Sequence, residues 1–207
     1  MTNKAIVVVV DDDAAVRDSM RALLESAGYE VKDYASAKTF LKDPVPAGGC
    51  LVTDIRMPEM DGLELQEEIT KRGMDIPVVI MTGHGDVPLA VRAMKAGALD
   101  FVEKPFDDEG MLASVQRALL IGHQERARQA EAKAAQELIA LLTPRERNVL
   151  EKLVAGRSNK VAAYELGISP RTIEIHRANI MDKMHARSLS EVVRIALAAD
   201  HSRANHA

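Results

Sequence analysis

The sequence predicts a doubly wound α/β domain on a five-stranded parallel sheet, followed by an all-α domain. Three observations carry that expectation. Over residues 1–120, short apolar runs alternate with amphipathic stretches of helical period, which is the βαβ pattern. The apolar runs show little alternation, as expected of strands buried on both faces of a parallel sheet. Beyond residue 142, capped helices follow one another without a strand between them.

Ala5 to Val10 is continuous and β-branched and predicts the first strand, ending in Asp11-Asp12-Asp13. A helix follows, with Val16, Met20, Leu23, Leu24 and Ala27 on one face, and Gly28 is placed to end it. Tyr29 to Tyr34 reads as the second strand. Ser36 is a cap for a short helix through Leu41. The turn-rich Pro44 to Gly49 leads to the third strand, Cys50 to Asp54. Asp61 caps a helix carrying Leu63, Leu65 and Ile69, which ends near Gly73. Ile76 to Met81 is the fourth strand, Val87 to Ala96 a helix, Leu99 to Val102 the fifth strand, and Asp108 to Leu120 another helix.

Residues 121–142 are rich in Ala, Gln, Glu, Arg and Lys and predict a helical linker that either continues the preceding helix or parts from it at Gly122, which weakens the join. Leu138, Ile139, Leu141 and Leu142 form an apolar patch that suits docking on a domain or pairing between chains. Thr143-Pro144-Arg145-Glu146 is a capping box with Pro at the first helical position. Asn159 is expected to cap a short helix to Leu166. Gly167-Ile168-Ser169-Pro170 then turns the chain into a longer helix ending near Met184. A short helix, a Gly-containing turn and a longer helix form a helix-turn-helix. Leu189 to Ala198 is a fourth helix, and 201–207 is expected to be a disordered tail. The domain limits so read are 1–121, 122–142 and 143–200.

The 207 residues are 47% hydrophobic and only 3% aromatic, so aliphatic residues and Met must build the cores. Cys50 is the only cysteine, which excludes an internal disulfide and a cysteine metal site. Ala5 to Val10 is too short to span a membrane, and a cytoplasmic protein is expected. The net charge of −4 is unevenly spread. Residues 1–120 hold 21 acids and 13 bases, whereas 143–207 hold 7 and 11. An acidic front and a basic back suggest different partners, with nucleic acid a candidate for the second.

Four predicted strand ends carry Asp11-Asp12, Asp54, Thr82 and Lys104. A parallel sheet gathers such ends at one edge, where ligands bind. Clustered carboxylates repel one another and call for a cation. With only oxygen ligands, Mg2+ is the natural choice. Asp54, on the central strand, is the candidate phosphoryl acceptor, because carboxylates form acyl phosphates.

These residues, with Asp54-Ile55-Arg56-Met57-Pro58, Asp61-Gly62, Thr82-Gly83-His84 and Lys104-Pro105-Phe106, resemble a response-regulator receiver domain of flavodoxin-like fold. The resemblance implies that Asp54 accepts phosphate from a sensor histidine kinase. It implies Mg2+ bound by Asp11, Asp12, Asp54 and the Arg56 backbone carbonyl. Thr82 and Lys104 would hold the phosphoryl group, Lys104-Pro105 would be cis, and Phe101 would take the aromatic switch position. Arg56 and His84 lie where side chains tune hydrolysis of the phosphate.

The basic part resembles the LuxR-type helix-turn-helix through Leu166-Gly167-Ile168-Ser169, Arg171-Thr172-Ile173-Glu174 and His176-Arg177-Ala178-Asn179-Ile180. With the receiver, the whole chain is similar to the FixJ group of regulators. That likeness implies promoter DNA as a partner, with RNA polymerase beside it. Arg171, Thr172, Glu174, His176 and Arg177 are carried over as base-reading candidates. Asn159, Lys160, Arg177, Lys183 and Arg187 are phosphate-contact candidates. Phosphorylation is expected to relieve inhibition, to drive homodimerisation through Val91, Met94 and Lys95, or both. Two other readings stand beside this one. A receiver-type module could regulate DNA binding independently of phosphate. A Mg2+-dependent phosphohydrolase is disfavoured, since Arg56 stands where that class has a second Asp.

Overall fold

The computed structural model describes residues 4–44, 48–83 and 87–204, without the side chains of residue 87 and of 201–204. The chain separates into two compact units, Met1–Glu125 and Arg126–Ala207.

The first unit holds strands β1 (Ile6–Val10), β2 (Glu30–Tyr34), β3 (Cys50–Asp54), β4 (Val78–Thr82) and β5 (Asp100–Glu103). Helices α1 (Ala14–Ser26), α2 (Ala37–Phe40), α3 (Gly62–Lys71) and α4 (Val87–Lys95) alternate with them, and α5 (Asp108–Ala140) follows β5. All strand pairs are parallel, in the order β2-β1-β3-β4-β5. The chain therefore reverses its winding between β1 and β3, the crevice in which such sheets bind ligands.

Alternation along the strands feeds two cores. Val8, Val10, Leu51, Val78 and Ile80 pack with Phe40, Leu63, Leu65, Ile69 and Ala93. Val7, Val9, Val52, Val79 and Met81 pack with Met20, Leu24, Met111, Val115 and Ala118. Helices α2 to α4 thus cover one face and α1 with α5 the other. This is why the inner strands β1, β3 and β4 read as largely apolar runs. Cys50 is fully buried in the second core.

Strand β4 starts at Val78 rather than Ile76, because Pro77 has no N–H to give to a ladder. Its carbonyl still accepts from the Leu51 amide at 2.8 Å. Asp61 caps α3 as expected, and Glu64 completes a capping box with it.

Helix α5 runs unbroken through Gly122 for 33 residues. Of the apolar patch at its end, Leu138, Ile139 and Leu142 join the core of the second unit, and Leu141 remains exposed. That core also holds Leu150, Leu153, Ala162, Ile173, Ile180, Met184 and Val192. It is built from α6 (Pro144–Val154), α7 (Asn159–Leu166), α8 (Pro170–Lys183) and α9 (Leu189–Ala204).

The predicted Thr143 capping box and the Ser169 cap with Pro170 are present. Gly167 ends α7 at φ 65°, a left-handed conformation that favours glycine. Asn159 was expected to cap α7, but Ser158 is the cap and its hydroxyl accepts from the Val161 amide. Asn159 is the first helical residue, which releases its side chain for another contact. Helix α9 continues to Ala204, four residues into the stretch expected to be disordered, since no Gly or Pro stops it. Residues 205–207 lie outside the described residues. Among the described residues, no helix is long and apolar enough to cross a membrane.

Candidate functional site

The sheet register builds the acidic site. Val10 lies opposite Thr53, so Asp11 and Asp54 follow side by side at the C-terminal edge. Thr82 ends β4 and pairs with Glu103, and Lys104 comes next. The Lys104 amide donates to the Thr82 carbonyl at 2.6 Å, which returns the lysine toward the centre of the edge. The Lys104-Pro105 peptide is cis, as expected.

The Lys104 Nζ donates to Asp11 Oδ2 and to Asp54 Oδ1, each at 2.7 Å. Asp11 Oδ1 accepts from the Asp13 amide at 2.9 Å, and Asp54 Oδ2 accepts from the Arg56 amide at 2.6 Å. Both carboxylates and the Thr82 hydroxyl are buried. Asp12 is exposed beside them, and Asp13 is the N-cap of α1. Phe101 is half-buried, packed against the core that contains Ile80 and Ala93. His84 lies outside the described residues.

The electrostatics reveal a shortage of positive charge. Burial pushes the Asp11 carboxyl above its ordinary value, and the Lys104 hydrogen bond only partly offsets this. Burial acts to lower the Lys104 ammonium, but its bonds to Asp11 and Asp54 outweigh it and the net shift is upward. One lysine shared by two carboxylates, with Asp12 alongside, leaves room for a further cation. Among the described residues, no three carboxylate, imidazole or thiolate groups converge as a ready chelate. Mg2+ does not require one, because it keeps several waters and takes one or two carboxylates. The all-oxygen donor set therefore fits it.

Gly62 supports the acceptor strand closely. Its amide donates to the Ile55 carbonyl at 3.0 Å, and a Cβ at this position would stand 2.3 Å from the Asp54 carbonyl oxygen.

In the second unit, the candidates divide by exposure. Lys160, Arg171 and Glu174 are exposed, whereas Asn159, Thr172, His176, Arg177 and Lys183 are half-buried. Arg177 Nη1 donates to Asn159 Oδ1 at 2.6 Å, tying α8 to α7. Thr172 shares a 2.8 Å hydroxyl contact with the Ser169 cap. Among the described residues, His176 Nδ1 finds no hydrogen-bond partner and is enclosed. Lys183 Nζ donates to Glu146 Oε2 at 2.8 Å. That bond, with burial opposing it, brings the Glu146 carboxyl down to about 2. On α4, Val91 (46%), Met94 (49%) and Lys95 are exposed.

Three features near the candidate sites escaped the sequence reading. The Arg56 amide is a backbone donor that no residue type announces. Ile175 is 56% exposed among the polar candidates of α8. Its apolar character hid it, because an Ile on a helix reads as core. Arg17 touches the acidic loop but carries no motif that marks it.

Comparison with known proteins follows the same two-part division. The response regulator receiver domain pattern matches residues 7–116, and that of the bacterial regulatory proteins, luxR family, matches residues 140–196. The transcriptional regulatory protein FixJ of Azorhizobium caulinodans is 56% identical over 193 residues, 92% of this chain and 91% of that protein. FixJ of Bradyrhizobium diazoefficiens is 50% identical over 201 residues, 96% of this chain and 98% of that protein. Among solved structures, the response regulator StyR aligns with a TM-score of 0.78 at 44% identity, covering 94% of this chain and 98% of that one. Full-length FixJ from B. japonicum aligns with a TM-score of 0.60 at 49% identity, covering 97% and 99%.

Proposed function

The chain belongs to the response regulators, as a FixJ-like member with a receiver domain and a LuxR-type DNA-binding domain, and from that premise we propose that Asp54 is the phosphoryl acceptor that gates DNA binding. The observation carrying this reading is Lys104 Nζ held 2.7 Å from both Asp11 and Asp54, at the switch point of the sheet. An Asp54 oxygen attacks phosphorus, the P–N bond of the kinase phosphohistidine breaks, and the imidazole nitrogen keeps the electron pair. Lys104 releases Asp54 Oδ1 and donates to a phosphoryl oxygen. The Thr82 hydroxyl donates to another. The Arg56 amide steadies the remaining carboxylate oxygen.

Asp11, Asp12, Asp54 and the Arg56 carbonyl are the groups that would hold Mg2+. When bound, it supplies positive charge to the transferring phosphoryl group. The protein is a regulator, and its only chemistry in this reading is its own phosphorylation and the later hydrolysis of the acyl phosphate. It works in the cytoplasm, with a sensor kinase and promoter DNA as partners and RNA polymerase beside it.

On DNA, α8 enters the major groove. Arg171 and Glu174 meet base edges, and Ile175 adds an apolar surface for a thymine methyl. Lys160 meets phosphate. Arg177 and Asn159 brace α7 on α8, so Thr172, His176 and Arg177 contribute less directly than their positions suggest. Lys183 serves the fold through Glu146.

Incubating the protein with acetyl phosphate and Mg2+, or with a phosphorylated kinase, tests the acceptor. Wild type should gain one phosphoryl group by intact-protein mass spectrometry and Asp54→Asn none. Equal labelling of the two would refute the assignment.

A further inference from the structure

We infer that Arg17 is a positioning residue for Mg2+ binding, its guanidinium clamping the carbonyl oxygens of Asp11 and Asp12 and so fixing the backbone from which both carboxylates project. The inference rests on the metal role proposed above for those carboxylates.

Arg17 Nη1 donates to the Asp11 carbonyl at 2.7 Å and to the Asp12 carbonyl at 3.0 Å. Its Nε faces Asp33 Oδ2 at 3.4 Å, and the side chain is only 16% exposed. Asp33 is also paired with Arg21. It lies on β2 opposite Val9, two residues before the acidic loop begins. The guanidinium is therefore pinned between β2 and the loop.

Helix geometry explains the reach. Side chains in a helix lean toward its N-terminus, so the fourth residue of α1 lies back over the loop that precedes it. A cation near this positive helix end is disfavoured by the backbone dipole, although the N-cap, Asp13, is itself an acid. Charge-assisted bonds to two carbonyls, with Asp33 behind, account for its place.

Removing Arg17 has two opposed effects. Losing a positive charge near the site favours a dication. Losing the clamp frees the loop backbone and spreads the orientations of Asp11 and Asp12. The Asp33 carboxylate, although shared with Arg21, faces the guanidinium and weakens its field at the site, so the clamp is the larger effect.

Calorimetric titration of MgCl2 into the full-length protein tests this. Arg17→Gln should weaken Mg2+ binding about tenfold, as loss of a group that orients metal ligands does. The pair Arg17→Gln with Asp33→Asn restores the net charge and should remain as weak. The Mg2+ concentration for half-maximal labelling by acetyl phosphate should rise by the same factor, with the rate at saturating Mg2+ retained. A purely structural role would lower thermal stability and leave that concentration in place. Wild-type or tighter Mg2+ binding by Arg17→Gln, or recovery on neutralising Asp33, would overturn the inference. Arg17→Lys, which keeps the charge, covers the case of a misfolded Gln variant. It should bind Mg2+ several-fold more weakly, and wild-type affinity would also overturn the inference. No Mg2+ binding by wild type would overturn the metal reading itself and the clamp with it.

Discussion

Lys104 joins two carboxylates that would otherwise repel, yet its single charge does not satisfy both. Asp11 bears the cost, since its folded carboxyl lies above the ordinary value. A raised acid is favourable to the fold below its unfolded value and costs stability as pH rises through the folded one. Ionising Asp11 therefore costs the metal-free receiver stability. Asp11→Asn keeps an oxygen to accept from the Asp13 amide and removes the surplus charge. It should raise the melting temperature without Mg2+ by about 3 °C or more, and should lose the stabilisation that Mg2+ gives wild type. Thermal melts at pH 7 with and without Mg2+ check both parts. Gly62 presents the opposite case, a residue chosen for space. Gly62→Ala forces a Cβ into the Asp54 carbonyl. It should cost about 1–3 kcal/mol by denaturant unfolding and slow labelling of Asp54.

At the scale of elements, the first turn of α6 and the end of α8 are locked by one carboxylate. Glu146 accepts from the Thr143 amide and from Lys183, each at 2.8 Å. Its carboxyl falls from 4.5 to about 2, so its contribution is present above pH 4.5 and is lost as pH falls through about 2. Glu146→Ala removes the capping box and leaves Lys183 unpaired. It should destabilise the second unit by about 2 kcal/mol at pH 7, with the difference shrinking as pH falls below 4.5. Circular dichroism with urea at several pH values follows it. The element pattern itself was legible in the sequence wherever local chemistry decides it. Unbroken β-branched runs marked buried strands, and Thr143, Ser169 and Gly167 marked helix ends. Long-range contacts were not legible. The bond of Lys183 to Glu146 was hidden because nothing in its neighbourhood reveals a partner 37 positions away. Asn159 read as a cap because Ser158 and Asn159 are both good caps, and only the fold chooses between them. Gly122, a weak former, leaves the continuity of α5 open in the sequence, and one such residue does not stop a helix whose two ends pack into different cores.

For the whole molecule, phosphate on an acceptor in the first unit is proposed to govern a reader in the second. Asp11, Asp54, Thr82 and Lys104 were identifiable because a parallel sheet collects its strand ends. The contacts of Arg17 were not, because a fold-back onto carbonyl oxygens leaves no mark in the sequence. The exposed Val91, Met94 and Lys95 of α4 are the proposed face through which phosphorylation pairs two chains. Met94→Asp should leave phosphoryl acceptance intact and hold the protein as a monomer in sedimentation with beryllofluoride. The central claim is that phosphate on Asp54 controls DNA affinity. It is tested most directly by titrating a promoter fragment with wild type and with Asp54→Asn, each with and without acetyl phosphate and Mg2+, at one fixed salt concentration. The account predicts that acetyl phosphate tightens binding by wild type tenfold or more, a coupling of about 1.4 kcal/mol, and leaves Asp54→Asn unchanged. Equal affinity of wild type with and without phosphorylation, or an equal gain in Asp54→Asn, would contradict it.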